Sequence, residues 1–98
     1  MPQVRLSARA QSDISRLHAF LLEKDLAAAK RAVLAIREAL IPLKHSYLTG
    51  RPVEDHEGLR ELVIDFGSTG YLALYRFEPS FDIVTILAIK HQREEEYK

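Results

Sequence analysis

The sequence predicts an α+β fold, in which an N-terminal strand and an antiparallel two-helix hairpin pack on a small antiparallel sheet in the order β-α-α-β-β-β. Apolar residues recur at spacings of three and four as far as Leu43, which is typical of helices. After Gly50 the spacing changes to two, which is typical of strands, and short turns separate three such segments. We expect residues 1–98 to form a single domain, because 98 residues cannot enclose a second core.

The start of the chain predicts a short strand followed by a helix. Residues 3–7 alternate polar and apolar side chains, and Ser7 is placed to cap the helix that follows. The buried stripe of that helix is formed by residues three and four apart, which are Ala10, Ile14, Leu17 and Leu21. The opposite, exposed side of the helix is expected to carry Arg9, Asp13 and Arg16.

A second helix is predicted after a turn at Lys24 and Asp25, with Asp25 as its N-cap. Its apolar seam repeats at three and four residues and comprises Leu26, Ala29, Val33, Ile36, Leu40 and Leu43. Pro42 lacks a backbone N–H, so we expect the helix to kink there or to end within a turn of it. The two helices then have roughly 15 and 20 residues, and the short turn between them makes them antiparallel.

Three strands are predicted over residues 59–66, 71–77 and 83–90, joined by short turns into an antiparallel meander. A polar loop over residues 50–58 precedes them. The middle strand has one face with Tyr71, Ala73, Tyr75 and Phe77 and another with Leu72, Leu74 and Arg76. We expect Tyr71 and Tyr75 in the core. The last strand is apolar on both faces, which predicts a central position in the sheet or a cover on its second side.

The composition excludes several classes of protein. With 14 basic and 14 acidic residues, the chain does not have a surface built throughout for nucleic acid. The charge is unevenly distributed, since residues 1–50 hold eight basic and four acidic side chains and residues 51–98 hold six and ten. There is no cysteine, and His18, His45, His56 and His91 lack metal-binding spacing, so we expect no metal or other cofactor. No apolar run could span a membrane, which favours a cytoplasmic protein.

Four local patterns stand in a specific order along nearly the whole chain. The first strand runs into residues 7–14, SARAQSDI, and residues 43–53 read LKHSYLTGRPV. Residues 58–62 read GLREL, followed by GYLALY at 70–75 and by ILAIKHQREEEY at 86–97. Together these patterns resemble the RelE/ParE superfamily of bacterial type II toxins.

The resemblance implies a toxin encoded beside an antitoxin that wraps and neutralises it in a hetero-oligomer. Such complexes commonly repress their own operon, so operator DNA would be contacted only through the antitoxin. We expect the antitoxin to add an extended or helical segment across the apolar sheet face and the helical hairpin, with Leu72, Leu74 and Phe77 among its contacts. Two activities compete within the superfamily. RelE-like members cleave mRNA in the ribosomal A site, whereas ParE-like members poison DNA gyrase and are not nucleases.

For the nuclease activity, the resemblance offers His91, Arg93, Tyr97 and Arg60 as catalytic residues. Metal-free RNA cleavage needs a base, an acid and cations that stabilise the transition state, and histidine can act as acid or base near neutrality. The competing structural interpretation has His91 and Arg93 capping the end of the last strand, and Arg60 in an ion pair with Glu61 or another acidic neighbour.

Departures from the RelE pattern favour the ParE-like activity. RelE carries further cations at the positions where Leu62 and Leu72 stand here, and the acidic run at residues 94–96 should repel an RNA backbone. A positive patch exists only if the fold gathers Arg60, Arg76, Lys90 and Arg93. We therefore expect a gyrase inhibitor of the ParE type, with helices long enough to fit it. The alternatives are a ribosome-dependent mRNA endoribonuclease and a non-toxic antitoxin-binding co-repressor.

Overall fold

Two helices pack on one face of a mixed five-stranded sheet in the computed structural model, which describes residues 2–97. The elements follow as β1 (Gln3–Leu6), α1 (Ala8–Leu22), α2 (Leu26–Leu40), a 3-10 turn (Ile41–Lys44), β2 (Arg51–Pro52), β3 (Leu59–Phe66), β4 (Thr69–Glu78) and β5 (Ile83–His91). The strand order is β1-β5-β4-β3-β2. The predicted α+β class and the β3-β4-β5 meander are confirmed, and β5 is an interior strand between β1 and β4, although β4 is the central strand of the sheet.

Both predicted helix caps are present. The Ser7 side chain accepts a hydrogen bond from the Ala10 N–H at 3.0 Å, and the Asp25 carboxylate accepts one from the Ala28 N–H at 3.1 Å. The second helix has 15 residues rather than the predicted 20, because the chain tightens into the 3-10 turn at Pro42. Most of its predicted seam is buried, but Val33 is only partly buried and Leu26, in the first turn, is 57% exposed.

The sheet differs from the prediction at both of its edges. β1 pairs with β5 in parallel, so the sheet is mixed rather than antiparallel. Residues predicted as loop form β2, whose two residues pair with Glu61 and Arg60 of β3. An alternating pattern signals a strand but not its direction, and a two-residue strand is too short to show any pattern.

The core lies between the helices and the inner face of the sheet, which we define as the face toward α1 and α2. Tyr71, Ala73 and Tyr75 of β4 are buried there, as predicted. They pack with helix residues that include Ala10, Ile14, Leu17, Ile36 and Leu40. The register between β4 and β5 shifts after Leu74, which pairs with Ala88 while Tyr75 pairs with Ile86. No helix of residues 2–97 is long and apolar enough to cross a membrane.

Side chains of α1 close the edge of β5 where β1 ends. The Ser7 hydroxyl donates to the Leu87 carbonyl at 3.0 Å, and the Ile89 N–H donates to Asp13 Oδ2 at 2.8 Å. Asp13 is therefore buried, and its predicted exposure is wrong. Arg16 approaches Asp13 Oδ1 at 3.5 Å and supplies the opposite charge that a buried carboxylate requires. The Asp13 carboxylate thus accepts the hydrogen bond of the Ile89 N–H, because β1 is too short to offer a carbonyl group there.

Candidate functional site

His91 is the last residue of β5, and both of its ring nitrogens form hydrogen bonds within the protein. Its Nδ1 accepts the Arg93 N–H at 3.1 Å, and its Nε2 lies 3.1 Å from the Thr69 hydroxyl. These bonds assign the ring proton to Nε2, which donates to Thr69. The ring meets Tyr71 edge-on, with centroids 5.4 Å apart. The predicted acid–base residue thus fastens the end of β5 to the start of β4.

The acidic run after His91 is held against the sheet at its first residue. Glu94 accepts the His91 N–H at 2.9 Å and forms an ion pair with Arg16 at 2.8 Å. Lys90 Nζ donates to the carbonyl groups of Glu94 and Glu95 at 3.0 and 3.2 Å. Of the three expected repulsive charges, the one on Glu94 is therefore paired, while Glu95 and Glu96 are exposed.

Tyr97 crosses the outer face of the sheet, which is the face away from the helices. Its hydroxyl donates to Glu61 Oε2 at 2.7 Å, and Lys90 Nζ lies 5.2 Å from the centre of its ring. Lys90 pairs with Leu72 and Glu61 pairs with Leu74 across the strands, so the ring spans β4 above these two leucines. Tyr97 therefore shields part of a sheet face that has no helix layer.

Neighbouring charges and burial determine the protonation states of Glu61 and Tyr97. Arg51 Nη2 lies 2.6 Å from Glu61 Oε1. Burial raises the pKa of Glu61, but hydrogen bonds from Arg51 and Tyr97 outweigh it, so the net pKa is below the ordinary value. Burial, and then the bond to Glu61, raise the pKa of Tyr97 far above its ordinary value. Tyr97 is thus a proton-holding hydrogen-bond donor and is unsuited to act as a base.

Arg60 lies on the inner face and fastens the loop before β2. Its Nη1 donates to the Gly50 carbonyl at 2.7 Å and to the Leu48 carbonyl at 3.2 Å. The predicted ion pair of Arg60 with an acidic neighbour is therefore wrong. Tyr75 acts on the same loop, because its hydroxyl donates to the Tyr47 carbonyl and accepts the Gly50 N–H, both at 2.7 Å.

Gly50 is required by this network. A Cβ at position 50 would lie 2.6 Å from the Tyr75 hydroxyl and 2.9 Å from the Glu61 carbonyl oxygen. The sequence prediction assigned Tyr75 to the core and missed its polar role. The signal for that role is its hydroxyl, which a buried tyrosine must satisfy with a partner.

The four predicted catalytic residues do not converge. Arg60 pairs with Tyr75 and His91 pairs with Tyr71, so the two sites are four residues apart along β4, or about 13 Å. Tyr97 lies on the opposite face of the sheet from both. Arg93 is exposed and follows His91 by two residues. The structure thus places only His91 and Arg93 together.

The cations named as a possible positive patch are also dispersed. Arg76 forms an ion pair with Glu78 at 3.3 Å, Lys90 binds the C-terminal segment, and Arg60 binds the loop before β2. Within residues 2–97 no group of three or more His, Asp or Glu side chains could hold a metal ion. These cations therefore do not form one positive patch on the surface.

The three predicted antitoxin contacts lie on two different faces. Leu72 and Leu74 are half-buried on the outer face, where Val63 beside Leu72 is 46% exposed. Phe77 faces inward and stacks on Tyr47, with ring centroids 4.0 Å apart. One segment laid across the outer face can therefore contact Val63 and the parts of Leu72 and Leu74 that Tyr97 leaves exposed, but it does not reach Phe77 from that side.

Comparisons with known proteins agree with this fold. Residues 4–96 match the sequence model for the ParE toxin of the type II toxin–antitoxin system parDE. Toxin RelE3 of Caulobacter vibrioides is 37% identical over 95 residues, covering 96% of this chain and 98% of that protein.

Two solved structures are similar over almost their whole length. The chromosomal ParDE toxin–antitoxin system of P. aeruginosa contains a chain with a TM-score of 0.80 and 23% identity, covering 93% of this chain and 96% of that one. The RelBE2 toxin–antitoxin complex of Mycobacterium tuberculosis contains one with a TM-score of 0.67 and 24% identity, covering 95% and 93%. At these identities the likeness establishes the fold.

Proposed function

This chain belongs to the ParE toxin family of type II toxin–antitoxin systems, and we propose that it arrests growth by binding DNA gyrase and is neutralised by a cognate antitoxin. In this proposal the single domain of residues 1–98 acts in the cytoplasm, where its target is found. It contacts operator DNA only through the antitoxin.

The dispersal of the nuclease residues is the observation that carries the choice of gyrase. Arg60 binds the loop before β2, and Tyr97 binds Glu61. His91 forms hydrogen bonds with Thr69 and with the Arg93 N–H. Cleavage of RNA without a metal needs an acid, a base and cations around one phosphate. An inhibitor that acts by binding needs no such cluster.

The mRNA endoribonuclease is retained as a second candidate. His91 and Arg93 adjoin at the end of β5, and the exposed Arg93 side chain is available to a phosphate beside the imidazole. The C. vibrioides relative also carries the name RelE3. This activity would be ribosome-dependent and metal-independent.

The free edge of β3 supports an antitoxin that adds a strand. Since β2 pairs with Arg60 and Glu61 alone, the rest of β3 as far as Phe66 has no strand partner among residues 2–97 on that side. Exposed Val63 and half-buried Leu72 adjoin this edge on the outer face. An extended segment could pair with the backbone of β3 and place apolar side chains over Val63 and over the part of Leu72 that Tyr97 leaves exposed.

Two purified assays test the choice of target: gyrase supercoiling, and ribosome-dependent cleavage of A-site mRNA. We expect inhibition of supercoiling by the wild type and by His91→Ala. The matched control is Thr69→Ala, which removes the same contact to the imidazole but keeps the imidazole itself. Cleavage of mRNA that is lost in His91→Ala and retained in Thr69→Ala would establish the nuclease instead.

Expression without the antitoxin tests toxicity itself. We expect growth arrest that is relieved by co-expression of the antitoxin. Normal growth with folded protein in the cells would instead favour the antitoxin-binding co-repressor.

A further inference from the structure

Helix α2 and the 3-10 turn after it carry a stripe in which basic and apolar side chains alternate, and all of its residues are exposed except half-buried Lys44. Its residues are spaced by four, three, four and three, and they are Lys30, Leu34, Arg37, Ile41 and Lys44. We call this set the basic heptad stripe, because its cations recur every seven residues and its two apolar residues are also seven apart. Leu34 is 56% exposed and Ile41 is 53% exposed.

The stripe is separate from the part of α2 that holds the fold together. The core-facing side of the helix is formed by Ala29, Ala32, Ile36 and Leu40, all of which are buried. The 3-10 turn repeats every three residues, so it places Lys44 in line with Ile41 and extends the stripe beyond the α-helix. Exposure of Leu34 and Ile41 is therefore not explained by packing within the domain.

The cations of the stripe have no partner in the described part of the chain. Lys30, Arg37 and Lys44 make no side-chain hydrogen bond or ion pair within residues 2–97. This contrasts with the cations near the sheet, where Arg16 and Arg51 are paired with carboxylates. The acidic residue of α2, Glu38, is about 100° around the helix from Arg37, and it flanks the stripe on the Leu34 side, since it follows Leu34 by four residues.

We propose that the basic heptad stripe binds an acidic amphipathic helix of a partner protein. Cations seven residues apart on a helix are about 10.5 Å apart, which is the spacing of acidic residues on one side of a partner helix with the same repeat. Apolar residues of that helix would cover Leu34 and Ile41, with the helices crossing at about 20°. Carboxylates beside them would pair with the three cations.

Charge decides against the two other occupants of such a surface. A second copy of this chain would bring two rows of cations together, which is repulsive. Nucleic acid would neutralise the cations but would leave Leu34 and Ile41 between them without an apolar partner, and the chain as a whole has no net charge. The inference goes beyond the proposed function and does not depend on whether the target is gyrase or the ribosome.

The probe for this site is a labelled synthetic peptide of three heptads, with leucine at the apolar positions and glutamate at the positions that face the cations. A matched peptide carries glutamine in place of glutamate, and a third carries lysine. Fluorescence anisotropy with the purified full chain measures their affinities. We expect the glutamate peptide to bind about tenfold or more tightly than the glutamine peptide, because three exposed charge pairs act together.

A charge reversal locates the binding. In the variant with Lys30→Glu, Arg37→Glu and Lys44→Glu, the affinity for the glutamate peptide should fall about tenfold or more, and the lysine peptide should bind more tightly than the glutamate peptide. Its matched control is the variant with Lys24→Glu, Arg31→Glu and Arg93→Glu, which changes the net charge equally outside the stripe. Circular dichroism of both variants confirms that they are folded.

Several results would overturn the proposal. These are equal binding of the glutamate and glutamine peptides, no binding of either, and equal loss in the two triple variants. Unchanged binding to Leu34→Ser would show that the apolar part of the stripe is not used. Self-association, or tighter binding of a DNA duplex, that is lost only in the stripe variant would assign the surface to a different occupant.

Discussion

Replacing Asp13 with alanine should destabilise this protein more than any exposed carboxylate substitution. The side chain of Asp13 is 6% exposed and accepts the Ile89 N–H at 2.8 Å, on the part of β5 that β1 does not reach. Its removal leaves the Ile89 N–H without a partner in a buried position. It also deprives Arg16 of one of its two carboxylate neighbours, although Glu94 remains.

The cost follows from these two contacts. A hydrogen bond to a charged group contributes about 1.5–3 kcal/mol, and the half-exposed ion pair adds less than about 1 kcal/mol. We expect a loss of about 3 kcal/mol out of a total stability of about 5–15 kcal/mol. At about 4–8 °C per kcal/mol for a domain of this size, the melting temperature should fall by about 12–24 °C.

Urea unfolding followed by circular dichroism measures the effect, with two controls. Asp13→Asn keeps an oxygen for the Ile89 N–H and loses only the charge, so we expect a cost of about 1 kcal/mol. Glu38→Ala removes an exposed carboxylate from α2 and should change stability by less than about 0.5 kcal/mol. An Asp13→Ala protein as stable as Glu38→Ala would refute the conclusion that Asp13 closes the edge of β5.

Three further predictions concern the buried loop network and the outer face. Gly50→Ala should cost about 1–3 kcal/mol in urea unfolding, because its Cβ would lie 2.6 Å from the Tyr75 hydroxyl, and a Gly50→Ala protein as stable as the wild type would contradict the clash. Gly58→Ala has open space but a backbone φ of +83°, so its cost measures backbone strain without a steric clash. Tyr75→Phe should cost about 2 kcal/mol, since the Gly50 N–H loses a buried partner, and an effect no larger than that of Tyr47→Phe would show that the hydroxyl is dispensable. The lowered pKa of Glu61 means that it stabilises the fold above its ordinary pKa of 4.5 and that this contribution is lost as the pH falls through the lowered value. Between pH 6 and pH 3 the free energy of unfolding should therefore fall less in Glu61→Gln than in Glu57→Gln. Identical pH profiles of the two variants would contradict the stabilising role of the Glu61 carboxylate.

The uneven charge of the sequence has a structural counterpart. Cations of the strand region are engaged within the domain, as with Arg51 on Glu61 and Arg60 on the Gly50 carbonyl. The positive excess of the first half includes the unpaired cations of the basic heptad stripe. Net neutrality therefore conceals one surface on which positive charge is available to a partner and another on which it is internally balanced.

The candidate nuclease site was predicted from the resemblance to RelE-like toxins, and the structure assigns most of those residues to other contacts. Histidine, arginine and tyrosine near a strand end are suited to phosphate chemistry, but they are equally suited to hydrogen bonding with the backbone. Which role each residue has depends on what lies within about 3 Å of its polar atoms. For Arg60 these are the Gly50 and Leu48 carbonyls, and for Tyr97 it is Glu61.

The sequence by itself determined the features that depend on residues a few positions apart. These include the Ser7 and Asp25 caps, the end of α2 near Pro42 and the three strands of the meander. Only the tertiary structure decided that Asp13 is buried against β5 and that Tyr97 crosses the outer face. Those contacts join positions 76 and 36 residues apart. Local spacing fixes which face of an element a side chain occupies, whereas the packing of distant elements decides what that face meets.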